Sequence, residues 1–263
     1  VKLDYKDNIA VLPILVISFL PLSFFYHSIY ADSLFLLLST TSFYFARKSK
    51  WILAGGLALL ATLTRLAGIS LILGFLLEWY IQNKDLIKEK GKLLAKFLTS
   101  IFPALLLNIY GLIIYMLYLK IYHHDPFLFQ KSLSAWNQQN FAIPLQVLYR
   151  YLKIFLSVSP KLLIFWIALL EFISFISYFI LGIYILRKIR SSYGLYMLTM
   201  ILLVSFTGTL AGTPRYLLHT FPAFLGLAVI LDKHRKLKII LYLIGLVLGL
   251  ILTGLFTRGY FVG

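Results

Sequence analysis

Long apolar runs punctuated by short basic stretches decide what this chain can fold into. Nearly uninterrupted apolar sequence occupies residues 9–26, 30–46, 51–82, 97–119, 162–186, 193–212, 216–231 and 239–257. About 20 apolar helical residues cross a hydrocarbon core ~30 Å thick, because lipid offers no partner to a backbone N–H or C=O that the helix leaves unpaired. The runs therefore predict an all-α, polytopic integral membrane protein forming a single transmembrane domain over residues 1–263. Composition supports this, since 13% of residues are charged where a water-soluble domain carries roughly 25%. A net charge of +16 alone would suit a nucleic-acid binder, but a chain that is 61% hydrophobic is not one, and nucleic acid is excluded as a partner. The absence of cysteine excludes a disulfide scaffold, a thiolate zinc site and a cysteine nucleophile.

The run from Trp51 to Gln82 sets the topology. As one helix its 32 residues would extend roughly 48 Å, too long for a single crossing. Arg47, Lys48 and Lys50 precede it, and Lys84, Lys88, Lys90, Lys92 and Lys96 follow. Basic loops stay in the cytoplasm, so both flanks belong on one side and the run crosses an even number of times. It is expected to be a hairpin of two short helices turning at Thr64-Arg65-Leu66-Ala67-Gly68, with Gly68 supplying backbone freedom. This gives about nine crossings, with the N-terminus inside and the C-terminus outside. Of the 25 Lys and Arg residues, 17 then fall on the cytoplasmic side, the others being Lys2, Lys6, Arg187, Lys188, Arg190, Lys233, Arg235, Lys236 and Lys238. The first run lacks a small-residue cleavage site and reads as a retained helix, and a chain beginning with Val rather than Met is expected to continue upstream.

On this topology the conspicuous polar residues gather outside. Tyr26, His27, Ser28, Tyr30, Asp32 and Ser33 form the first outer turn, and Thr64 with Arg65 the second. The long loop of residues 120–161 is the third, and Thr213, Pro214, Arg215, Tyr216 and His219 make the fourth. A guanidinium at headgroup depth is costly unless it pairs with an anion or reaches water, and its planar fork suits phosphate oxygens. Arg65 and Arg215 are thus candidates to hold the phosphate of a lipid-linked substrate; interfacial anchoring, or a structural pair with Asp32, is the competing reading. Asp32 opens a helix, where an acidic residue also offsets the macrodipole; its alternatives are orienting a sugar hydroxyl or pairing with an arginine. In the third loop, Leu128, Phe129, Leu133 and Trp136 recur at helical spacing, which predicts an interfacial helix. Gln130, Trp136, Asn137, Gln138 and Gln139 could bind a sugar there or simply anchor the loop. His123, His124 and Asp125 lack a second ligand cluster, so no metal is expected. Asn108 and Glu171, alone inside apolar runs, read as bonds between helices. Glycine-rich phosphate loops, a GxSxG elbow and a His-Glu zinc motif are all absent, and no cofactor is expected.

Four stretches together resemble the PIG-V-type mannosyltransferases. Tyr30-Ala-Asp32-Ser33-Leu-Phe-Leu is similar to their Tyr-Ser-Glu-Ser-Leu-Phe element, and Ala61-Thr-Leu-Thr-Arg65-Leu-Ala-Gly68 to their Thr-Arg-x-x-Gly turn. Asp125-Pro126-Phe-Leu-Phe129-Gln130 with Trp136 resembles their outer-loop segment, and Pro214-Arg215-Tyr216-Leu-Leu with Phe221-Pro222 their Pro-Arg-Tyr stretch. The resemblance implies a polytopic glycosyltransferase of the GT-C superfamily. Its donor would be a polyprenyl-phosphate sugar, commonly mannose, used on an acceptor of unspecified identity outside the cytoplasm. Arg65 and Arg215 would stabilise the departing phosphate, with Tyr30, Gln130, Trp136, Tyr216 and His219 binding substrate and Asp32 contributing. The family's essential acid lies after its first helix, so the resemblance puts it upstream of residue 1; position 32 also has Asp where the family has Glu. Such a protein would sit in the cell membrane of a prokaryote or the endoplasmic reticulum of a eukaryote. The alternatives are a transporter or lipid-linked-sugar flippase without transferase activity, and a structural membrane subunit.

Overall fold

The computed structural model describes residues 11–133 and 142–260, and every regular element among them is helical. In order these are α1 (Leu12–Phe19), α2 (Asp32–Arg47), α3 (Trp51–Thr64), α4 (Leu71–Asn83), α5 (Lys90–Thr99), α6 (Ile101–His123) and α7 (Leu128–Ser132). Then come α8 (Pro144–Ser157), α9 (Leu163–Lys188), α10 (Ser191–Ser205), α11 (Thr213–Tyr216), α12 (Phe221–Lys233) and α13 (Arg235–Thr257), with short 3-10 turns between several of them.

Among the described residues four helical stretches are long and apolar enough to cross a membrane: Leu66–Lys88, Lys90–His123, Ile164–Lys188 and Arg235–Thr257. Thr213–His219 and Phe221–Lys233, bent by 87°, would make a fifth if they form one span. In α13, Leu243, Ile244, Leu246, Val247, Leu250 and Ile251 are all exposed. A helix apolar on nearly every side gains nothing from water and is at home only in hydrocarbon.

The core is built where helices present small or aromatic faces. α3 and α6 approach closely at glycine: a Cβ on Gly55 of α3 would come 2.5 Å from Ala104 Cα of α6, and one on Gly111 of α6 would come 2.6 Å from Leu59 O of α3. Small residues let helices approach closely where lipid supplies no hydrophobic drive to pack. Beside this seam, Phe43 of α2 meets Phe75 and Tyr193 edge-on at 5.3 and 5.6 Å and also touches Tyr196 and Phe221, which ties α2, α4, α10 and α12 together.

Residues 51–82 do reverse direction. Ser49 Oγ donates to Gln82 Oε1 at 2.8 Å and Gln82 Nε2 to Ala46 O at 3.0 Å, so the two ends of the run meet at one level. The reversal is a 3-10 turn, Leu66–Ser70. Gly68 is required there because a Cβ would lie 2.7 Å from Thr62 Cα. Asn108, reaching from α6, donates to Gly68 O at 3.2 Å and accepts from Thr62 Oγ1 at 2.9 Å, so this amide does link helices.

Elsewhere the chain departs from its apolar pattern. The described part of the first run is not one helix: α1 stops at Phe19, and Leu20 is extended (φ −70°, ψ 140°) because Pro21 disfavours a helical residue before it. In the 120–161 stretch, Lys120–His123 still belong to α6, which His124 ends in the left-handed conformation (φ 57°). Of the interfacial helix expected across Phe127 to Trp136, the five-residue α7 is described and residues 134–141 fall outside. The longer amphipathic helix here is α8, opened by Pro144. It has three faces: Val147 and Tyr151 buried, Leu145, Tyr149, Leu152 and Leu156 exposed and apolar, and Gln146, Arg150, Lys153 and Ser157 exposed and polar. A helix so divided suits the plane of a membrane surface.

Candidate functional site

Asp32 is the first residue of α2, and no side-chain cap closes that helix end. Its carboxylate is fully buried and serves three other segments instead. Arg65, the extended residue that closes α3, donates from Nη2 to Oδ1 at 2.9 Å. Arg215, on α11, donates from Nη2 to Oδ2 at 2.8 Å and from Nε to Oδ1 at 3.4 Å. His219, at the end of the 3-10 turn Leu217–His219, places Nε2 2.6 Å from Oδ1. Groups 33, 183 and 187 residues from Asp32 thus converge on one carboxylate.

Local backbone explains the convergence. Gly212 begins α11 in the left-handed region (φ 76°), and its carbonyl accepts from Arg215 N–H at 3.0 Å and Tyr216 N–H at 3.1 Å. After His219 the chain turns through 87° into α12, which begins Phe221-Pro222. The segment carrying Arg215 and His219 therefore runs across the end of the bundle, over the start of α2.

Aromatic rings complete the wall. The Arg215 guanidinium lies 4.3 Å from the Phe25 ring centre and 4.1 Å from that of Tyr30, two cation–π contacts to rings that themselves meet edge-on at 5.5 Å. Phe35 and Tyr216 stand edge-on to His219 at 5.3 and 5.9 Å. Tyr26 donates its hydroxyl to Leu218 O at 2.5 Å, anchoring the first turn to the last.

Two features make this more than a structural ion pair. Two guanidiniums face one carboxylate, which leaves a surplus positive charge, and their side chains remain 22% and 19% exposed. Only three buried side-chain polar atoms lack a partner among the described residues, and two are here: Arg65 Nε and His219 Nδ1. Buried donors and acceptors are otherwise almost always satisfied, so paired exceptions mark a place built for something else.

The opposite end of α2 supplies a control. Glu78, fully buried on α4, accepts from Arg190 Nε and Nη2 at 2.7 and 2.6 Å, from Ser192 Oγ at 2.6 Å and from Gln82 Nε2 at 2.7 Å, with Arg47 Nε at 3.5 Å. It has the same two arginines per carboxylate, yet no orphaned atom, and it reads as a staple joining α2, α4 and α10. Sequence reasoning passed over Glu78, counting Arg47 and Arg190 only as topology signals. The available clue was that Glu78 is the one acidic residue within the apolar run 51–82, with arginines in the basic stretches on its side of the chain.

Tyr30, Asp32, Arg65, Arg215, Tyr216 and His219 are brought together. Gln130 is not: it is exposed on α7, and among the described residues no side-chain hydrogen bond joins it to the cluster. Its neighbourhood is organised by Asp125, which takes an ion pair from Lys131 at 2.5 Å and the Phe127 N–H at 3.0 Å, contacts that hold its carboxyl below the usual carboxylate range. Trp136 lies outside the described residues, as do Asn137, Gln138 and Gln139. No group of three or more His, Cys, Asp and Glu side chains that could hold a metal ion occurs among the described residues.

No family model, curated protein or solved structure matches this chain. The site is therefore read from its own chemistry. It offers an anion a partly open pair of guanidiniums, one unused Arg N–H and a neutral aromatic wall. With Nε2–H committed to Asp32, a neutral His219 presents Nδ1 as an acceptor for a hydroxyl.

Proposed function

We propose that the chain is a membrane glycosyltransferase of GT-C type, with about nine crossings, that takes its sugar from a polyprenyl-phosphate donor outside the cytoplasm. The carrying observation is the surplus positive charge at Arg65 and Arg215 beside two orphaned buried nitrogens. The resemblance to PIG-V-type mannosyltransferases supplies the donor class and mannose as the sugar.

In this reading the donor phosphate binds the open faces of Arg65 and Arg215, with Arg65 Nε–H directed at a phosphate oxygen. An acceptor hydroxyl attacks the anomeric carbon as the sugar–phosphate bond breaks, so negative charge grows on the leaving phosphate, which takes up the proton that the hydroxyl loses. Fixed guanidiniums in a low-dielectric setting stabilise that charge without reorganising. Asp32, already accepting from three side chains, is a positioning group that fixes both arginines and the His219 tautomer. A site at one end of the bundle, rather than at its middle, favours this reading over an alternating-access transporter.

The test is transfer from polyprenyl-phosphate mannose by the full-length protein in lipid nanodiscs. Removing a buried charge-assisted contact costs about 1.5–3 kcal/mol, so Arg65→Ala and Arg215→Ala together are expected to abolish measurable transfer. A double variant that folds and transfers at the wild-type rate defeats the proposal.

A further inference from the structure

Glu171 is the buried carboxylate that this site leaves unused. It lies within the apolar stretch Ile164–Lys188 at 7% exposure, and no cation comes within ion-pair distance of it among the described residues. Asp32 and Glu78, by contrast, each face two arginines. A buried carboxylate is expensive, and packing α9 against its neighbours would be served as well by leucine.

Its partners explain what it holds. Tyr151 of α8 donates to Glu171 Oε2 at 2.5 Å. The Tyr151 hydroxyl also accepts the Leu210 N–H at 3.0 Å and lies 3.2 Å from Thr209 Oγ1. Arg150 Nη1 donates to Gly208 O at 3.1 Å, and the Ala142 N–H to Phe206 O at 3.2 Å. Residues 206–212 have left α10 and have not yet entered α11; the Phe206, Thr207 and Gly208 amides still reach back to Leu202 O, Val204 O and Ser205 O, whereas the Leu210 amide is given to Tyr151 rather than to a backbone carbonyl, and an amide left without a partner is costly at membrane depth. A carboxylate can accept several N–H and O–H groups at once, and a phenol both donates and accepts. Tyr151, held by Glu171, satisfies the Leu210 amide two residues before Gly212, the left-handed residue whose carbonyl receives the Arg215 N–H.

We propose that Glu171 and Tyr151 are positioning residues of the donor-phosphate site, clasping the 206–212 loop so that Arg215 enters α11 at the angle that reaches both Asp32 and the phosphate. The clasp acts through the backbone of Leu210, two residues before Gly212, and touches no substrate. It rests on the transferase reading above.

The experiment compares full-length wild type, Tyr151→Phe and Glu171→Gln in nanodiscs by donor kinetics and by hydrogen exchange of residues 206–213. Tyr151→Phe keeps the ring stacked on Phe172 and removes only the hydroxyl. Both variants are expected to exchange the Leu210 amide faster and to raise KM for polyprenyl-phosphate mannose about tenfold, with kcat within about twofold. Phe172→Leu, which leaves the clasp intact, is expected to keep the wild-type KM. Faster exchange with KM unmoved reduces the clasp to a structural role and overturns the proposal, as does unchanged exchange. A kcat loss with KM unchanged also overturns it. A wild type that transfers nothing overturns the transferase reading and this inference with it, whereas an active wild type with indifferent variants sinks the clasp alone.

Discussion

Replacing Asp32 by Asn is the sharpest perturbation the structure offers. Asn keeps the shape and one oxygen but removes the only negative charge facing Arg65 and Arg215, whose side chains are about four-fifths buried. Removing one partner of a buried ion pair costs about 3–5 kcal/mol; the partial exposure of both arginines puts this case at the lower end, about 3 kcal/mol. At ~2–4 °C per kcal/mol for a domain of this size, the midpoint of thermal unfolding falls by about 6–12 °C. Intrinsic fluorescence of the four tryptophans in detergent follows the transition. The same substitution raises the surplus charge from one to two, so a polyprenyl-phosphate ligand is expected to stabilise Asp32→Asn more than it stabilises wild type. An unliganded midpoint within about 2 °C of wild type, less than 1 kcal/mol on the same scale, would refute the claim that one carboxylate holds both arginines. So would an equal response of both proteins to the ligand.

Glu78→Gln is expected to destabilise by a comparable ~3 kcal/mol but to leave donor KM unchanged, since that staple has no open face; thermal unfolding beside donor kinetics separates the two effects. Gly68→Ala forces a methyl onto the Thr62 backbone, and a loss of about 1–3 kcal/mol with impaired donor binding is expected in the same assays. The natural absence of cysteine permits clean labelling: Ser49→Cys and Lys84→Cys should react with an impermeant thiol reagent from the same side of sealed vesicles, and Ile29→Cys from the other. Labelling of Ser49→Cys and Lys84→Cys from opposite sides would remove the hairpin topology, and labelling of Ile29→Cys from the same side as Ser49→Cys would remove the outer site.

Much of the candidate site could be read from residue types. Arg65, Arg215, Asp32 and His219 are polar groups in apolar surroundings, and a charge in such a place needs a partner wherever the chain can find one. Their mutual arrangement was not readable, because it depends on the left-handed Gly212 and the right-angled turn before α12, which no periodicity encodes. The helix count was less legible than the runs suggested. Apolar character tells where a chain can enter lipid, but Pro21 and the Thr220-Phe221-Pro222 corner decide where the helix itself stops. The amphipathic helix of the long loop shows the same limit. Both the Phe127–Trp136 segment and Pro144–Ser157 carry helical spacing, but only the second is a long helix among the described residues, with a buried face that packs it to the bundle. Glu78 escaped notice and Glu171 was legible only as a bond between helices, because a lone carboxylate looks the same in sequence whether it meets two arginines or a tyrosine.

The shortness of α3 has a consequence for how a reaction can occur in a membrane at all. Fourteen residues extend about 21 Å, well under a hydrocarbon thickness of ~30 Å. Arg65 closes that helix while its start shares a level with the basic stretch around Lys48 and Lys50. If the hairpin crosses as proposed, the bilayer thins or dimples to meet it. Under the transferase proposal, a lipid-borne head group diffusing past would sink towards the protein in that depression, and water with it, so the reacting bond would be delivered to depth by the shape of the membrane rather than by a moving lid.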